Sequence, residues 1–191
     1  MQNLLVITCF LVMLFACNGE SKSDTDPVII KDNSSSASAT SKKSIPSETR
    51  KGIGNTDISI NYHAPAVRGR VIWGGLVAYD SVWVAGAHQA TSLEVDQEFE
   101  IGTTTIPAGK YALFAIPGRQ EWTIIINRNW KQHLADDYQQ SEDVVRINVK
   151  PELTNEVTER LKYEIVQTGE RTANIIISWE KIRVLFPVTI K

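Results

Sequence analysis

The residues best equipped for chemistry in this 191-residue chain are gathered between Arg68 and Thr91. Arg68, Arg70, Trp73, Tyr79, Trp83, His88, Gln89 and Thr91 stand there among Gly69, Gly74, Gly75 and Gly86. Glycine lets a backbone approach a ligand, and an indole offers a flat face to a sugar or aromatic ring. Arginine, histidine and glutamine add directional hydrogen bonds. Together they form a ligand-binding inventory. Each also has an architectural reading, in which the glycines make tight turns and Trp73 and Trp83 fill a core.

His88 has little packing value between Ala87 and Gln89, so a general base or metal ligand is the competing role. An enzyme of that kind, a hydrolase or a metal-dependent catalyst, would pair His88 with Arg68, Arg70 or Glu94 in one concave pocket. His63 shares strand parity with Asp57, Ser59 and Asn61, which describes a solvated sheet face or a ligand surface. His133 reads as solvated. Three scattered histidines do not make a zinc site by spacing, and the chain has no Gly-x-Ser-x-Gly, His-Glu-x-x-His, phosphate-loop or dinucleotide motif. Asp136-Asp137 and Glu142-Asp143 are sequence neighbours that would not share a helix face, so neither is a ready acid/base pair. No catalytic residue, cofactor or metal is assigned.

The elements that must position these residues are strands. After Lys51 the sequence runs in short alternations: Val145, Ile147, Val149; Leu161, Tyr163, Ile165; Ile175, Ile177, Trp179; and Ile182 through Ile190. Tyr111–Ile116 and Trp122–Ile126 are apolar on both faces and read as central strands. About nine strands result, with one helical candidate, 128–138, in which Trp130, Leu134 and Tyr138 recur every four residues. The expected fold is all-β: an antiparallel β-sandwich or jelly-roll-like domain over 51–191 with one short helix.

Two segments precede that domain. Residues 1–16 carry no charged side chain, and Leu4–Ala16 is apolar except for Thr8 and Cys9. As a helix, that run would reach roughly 20 Å, short of the roughly 30 Å of a bilayer core, so it reads as a signal peptide. Leu14-Phe15-Ala16-Cys17 resembles a bacterial lipobox, although Phe15 is bulky for its place and Met1-Gln2-Asn3 has no Lys or Arg. Cys17 is accordingly the expected lipidation site, and acyl chains there would make the membrane a partner. Residues 17–50 are rich in Ser, Thr, Lys, Asp and Asn, without an aromatic, and are expected to be a disordered tether. A cell-envelope lipoprotein follows. Asn18, rather than Asp, after the cysteine favours the outer membrane over the inner by familiar sorting rules.

From about Gly52 onward the chain also resembles DUF2911, a family of exported bacterial proteins of unknown function. The resemblance is carried by Tyr62–Pro65, Val67-Arg68-Gly69-Arg70, Trp73-Gly74-Gly75-Leu76-Val77, Gly86–Thr91, Ile106–Phe114 and Glu121–Asn127. Val84 stands where that family usually has Arg, and His88 where it usually has Asn. The resemblance implies no activity.

The net charge of −2, with both signs interspersed, offers no basic stripe for nucleic acid. The first expectation for function is therefore a non-catalytic, membrane-anchored ligand-binding domain, its ligand a saccharide or other small molecule. The enzyme built on His88 is the alternative. A structural or assembly lipoprotein is the third reading, and it predicts an exposed apolar patch instead of a pocket.

Overall fold

The computed structural model describes residues 43–191. The expected signal peptide, the lipidation of Cys17 and the tether as far as residue 42 lie outside the described residues. Two antiparallel sheets face each other. The six-stranded sheet runs β1-β2-β3-β6-β7-β8, with β1 at Ile45–Ile53, β2 at Thr56–Ala64, β3 at Thr91–Val95, β6 at Gly109–Pro117, β7 at Trp122–Asn127 and β8 at Asp143–Val149. The four-stranded sheet runs β5-β4-β10-β9, with β4 at Phe99–Ile101, β5 at Thr104–Ile106, β9 at Glu152–Gln167 and β10 at Thr172–Ile190. The sandwich expected from the alternation is what forms, and the two runs apolar on both faces are the interior strands β6 and β7.

The folded chain begins earlier than Lys51. Ile45–Arg50 pairs residue for residue with β2, from Ile45 opposite Ala64 to Arg50 opposite Ser59. This is an edge strand of polar residues; backbone hydrogen bonds hold it, so no apolar alternation announces it. The helix expected over 128–138 does not form either. The segment is a chain of turns, and the described residues contain only a 3-10 turn at Gln140–Glu142. Trp130 and Tyr138 do pack onto the core, but Leu134 adopts φ +48°, outside the helical region. Tyr138 meets Phe114 edge-on at 5.4 Å, and its hydroxyl donates to Asp143 at 2.7 Å. The side-chain amide of Asn127 also donates to Asp143, at 2.8 Å.

Pairing register assigns the faces. Ile58, Ile60 and Tyr62 point inward, where Tyr62 meets Tyr163 of β9 at 4.6 Å. Asn61, Ser92 and Ala112 lie opposite one another on the outer face. Between β2 and β3 runs a long irregular segment, 65–90, that occupies the space β3 is too short to fill. Trp83 exchanges backbone hydrogen bonds with Ala115 of β6 at 2.7 and 3.0 Å, and Asp80 N–H donates to Pro117 at 2.9 Å. The segment thus extends the sheet irregularly and carries its tryptophans inward.

Candidate functional sites

Trp73 and Trp83 of this segment meet Trp122 of β7 and Trp179 of β10, with ring centroids 4.8 to 6.3 Å apart. This is core packing, mostly edge-to-face, in the range where aromatic pairs attract. The indole N–H of Trp83 donates to Gly86 at 3.2 Å, whereas those of Trp73 and Trp179 are buried with no partner among the described residues.

A pocket of about 320 Å³ opens beside the cluster. Trp83, Trp179, Leu76 and Val84 give it apolar walls, and Arg68 and Arg70 line it as well. Arg70 is fixed there: its Nε donates to Val67 O at 3.1 Å and an Nη to Ala66 O at 2.5 Å. Those bonds use two of its five N–H donors. Glu159 takes the Arg68 backbone N–H at 2.9 Å but is not a wall residue, and the walls contain no carboxylate. The volume is within the usual range for small-molecule sites.

A second, broader cleft of about 550 Å³ lies on the outer face of the six-stranded sheet. Asn61, His63, Ser92 and Lys110 form its floor, and Trp130 to His133 overhang it. The ammonium groups of Lys110 and Lys131 stand 4.6 and 5.0 Å from the Trp130 ring centroid. Gln132 is 6% exposed; its amide donates to Asn129 O at 2.6 Å, and its Oε1 has no partner among the described residues.

The expected site residues are thus divided. Arg68, Arg70 and Trp83 line the apolar pocket, and Gln89 lines the cleft. Trp73 belongs to the core. Tyr79 packs where Gly74, at φ +80°, leaves room: a Cβ there would lie 2.8 Å from the tyrosine ring. Arg119 sits over that ring at 4.5 Å. Thr91 is fully buried and donates to Ala85 O at 3.0 Å. Gly86 is forced by the same contact, since a Cβ there would lie 2.7 Å from the Thr91 hydroxyl.

His88 is exposed at φ +65°, lines neither cavity, and meets the His63 ring edge-on at 5.2 Å. Burial first, and His88 second, push the His63 imidazole below its ordinary value. The cluster of His88 with Arg68, Arg70 or Glu94 is not brought together in either cavity: Glu94 pairs instead with Lys110 at 3.4 Å. Among the described residues no three His, Cys, Asp or Glu side chains are grouped as metal ligands would be. His133 is exposed and bonds Asp136 at 2.9 Å.

Sequence reasoning missed Trp179, Lys110, Trp130 and Gln132 as cavity residues. Trp179 and Lys110 sit in plain strand alternation, and the other two were absorbed into the expected helix. Among known families, residues 44–188 match the one described as protein of unknown function, DUF2911. No curated protein and no solved structure matches the chain.

Proposed function

We propose that the chain, which belongs to the DUF2911 family, is a membrane-tethered, non-catalytic ligand-binding protein of the cell envelope. Its β-sandwich takes a small molecule with an apolar body and an anionic group in the pocket of the 65–90 segment. One observation carries the reading: a pocket of about 320 Å³ walled by Trp83 and Trp179, with two arginines and no carboxylate in its lining. The apolar walls favour the ligand's body by roughly 25 cal/mol per Å² removed from water. A guanidinium already oriented by two backbone carbonyls meets an anion with little further loss of side-chain freedom.

The tether rests on the sequence of residues 1–17, with Cys17 as the acylated residue. Acylation would hold the chain to membranes, and a Cys17→Ala chain is expected in the soluble fraction instead; persistence with membranes refutes the anchor. The same Cys17→Ala chain serves for a thermal-shift comparison of alkyl and aryl carboxylates with their matched alcohols and with neutral saccharides. A ligand at about 100 times its Kd adds about 2.7 kcal/mol, or several degrees in midpoint. Carboxylates are expected to shift the midpoint more than alcohols, and Arg70→Gln to reduce the difference, since Arg68 and Lys43 remain in the lining. Equal shifts from acids and alcohols, or no shift from any of them, overturn the proposal.

A further inference from the structure

We infer that the cleft on the outer face of the six-stranded sheet is a second binding site, for an acidic oligosaccharide bearing uronate carboxylates. It is separate from the apolar pocket. Its walls join two kinds of group that such a ligand needs together: cations gathered at one indole, and a row of short neutral hydrogen-bonding side chains.

The cations are Lys110, from β6, and Lys131, from the 128–139 loop, and both are drawn to one indole, that of Trp130. Cation–π attraction limits the range over which each lysine swings, so positive charge is concentrated at one end of the cleft. No carboxylate lines the cleft. Glu94 reaches Lys110 from outside at 3.4 Å, but its side chain is half exposed and a ligand carboxylate can compete for the ammonium.

The neutral groups are Ser47, Asn61, Gln89, Ser92 and Gln132. Amides and hydroxyls both donate and accept, which suits the hydroxyls of a sugar ring. Gln132 is the most telling. More than nine-tenths buried and held by its own donor to Asn129, it keeps an acceptor oxygen that nothing among the described residues satisfies. A buried acceptor left without a donor is costly in a finished core and rare there. At a cleft wall it is the acceptor that a ligand hydroxyl would satisfy.

The chemistry also separates this ligand from other anions. The cleft walls contain no arginine, whose planar fork is the usual device for bidentate phosphate recognition; lysines act as point charges. Two cations beside one sheet face are also far from the extended basic stripe of a nucleic-acid site.

Titration calorimetry of the full chain carrying Cys17→Ala tests the inference, with trigalacturonate, the matching neutral galactotriose and inorganic phosphate as probes. Trigalacturonate is expected to bind, the neutral trisaccharide at least roughly tenfold more weakly, and affinity for the acid to fall as salt is raised. Lys110→Gln and Lys131→Gln are each expected to weaken trigalacturonate by roughly three- to tenfold. Gln132→Leu is expected to weaken it as well, with some loss of melting midpoint because the donor to Asn129 O goes too.

Arg70→Gln, in the other cavity, is expected to leave trigalacturonate binding intact, so the two sites fail or stand independently. The inference is overturned by equal affinity for the acidic and neutral trisaccharides, or by no binding of the acid at millimolar concentration. Unchanged affinity in both lysine variants, or displacement of the acid by an equal concentration of phosphate, also overturns it.

Discussion

The carbonyl of Ala85 is where the 65–90 segment is fastened to the sandwich, and its two donors make a quantitative test. Tyr163 of β9, 2% exposed, donates its hydroxyl to this oxygen at 2.7 Å, and Thr91 of β3 donates to it at 3.0 Å. Burial raises the Tyr163 phenol above its ordinary value, which keeps it a donor around neutral pH. Tyr163→Phe removes one donor and leaves the other, so the cost is that of one net hydrogen bond, about 1 kcal/mol. Thr91→Val removes the second donor with little change of shape and costs about the same.

The double variant is different. Ala85 is fully buried, and with both donors gone its carbonyl has lost both side-chain partners. The desolvation penalty of about 1–3 kcal/mol then falls due at once, and the double variant should exceed the sum of the singles by about 1 kcal/mol or more. Urea denaturation of the three variants measures the coupling, provided the slope is unchanged. Additivity within about 0.5 kcal/mol would refute the reasoning and show that the carbonyl finds another donor. The cycle also bears on function, because Thr91, which the sequence offers as a ligand contact, is here a fastening of the loop. Thr91→Val should destabilise the chain without changing the carboxylate affinity proposed for the pocket.

Two glycines separate backbone from packing effects. Gly69→Ala, at φ +65° with nothing within 4 Å of the added Cβ, should cost about 1 kcal/mol for the left-handed conformation alone. Gly74→Ala adds overlap with the Tyr79 ring and should cost about 1–2 kcal/mol more by chemical denaturation; equal costs would refute the contact. His63 predicts a pH dependence. Its folded value lies below the ordinary 6.5, so the unfolded chain takes up the proton first as pH falls. The stability it contributes is present above pH 6.5 and is lost on going down through the folded value. Melting midpoints of the parent should therefore drop below pH 6.5 more steeply than those of His63→Gln, and parallel curves would count against the assignment.

What the sequence displays well is whatever depends on period. Ile58, Ile60 and Tyr62 face inward and Asn61 and His63 outward because a pleat alternates, and β6 and β7 are central because Leu113, Phe114, Ile124 and Ile125 leave no face for water. It displays poorly whatever depends on partners distant in the chain. Thr49 is a polar residue of an edge strand until its hydroxyl is seen to reach Tyr163 O at 2.9 Å. Trp130, Leu134 and Tyr138 carry a helical spacing, yet Asp143 holds Asn127 and Tyr138 and pulls the segment into turns. As pocket-lining residues, Arg68, Arg70 and Trp83 were readable in the glycine-rich segment, although Trp83 equally fills the core that the sequence also offers it. Trp179 was not, since on β10 it is one more inward residue of an alternating strand.

The failed helix explains why two cavities can exist side by side. The 128–139 loop clasps the 65–90 segment: Leu134 N–H donates to His88 O at 2.6 Å, and Ala90 N–H donates to Gln132 O at 3.0 Å. Leu134 then lines the apolar pocket, while Gln132 and His133 line the cleft. A helix with Leu134 in its buried stripe would turn Gln132 and His133 away from that stripe without bonding to its neighbour, because its backbone groups would be spent within it. An irregular chain has N–H and C=O groups to offer and can divide successive side chains between two directions. Five of the six left-handed non-glycine residues among the described residues follow the same logic: Arg68, Asp80, Ala85 and His88 lie in the 65–90 segment and Leu134 is its partner in the clasp, while Glu180 sits at a register shift in β10. Each such non-glycine conformation costs on the order of 1 kcal/mol or more and persists only where surroundings over-determine it. Strain of this kind, gathered in the two loops that border both cavities with Glu180 of β10 as the exception, supports the proposal that these loops carry binding sites on a plain β-scaffold.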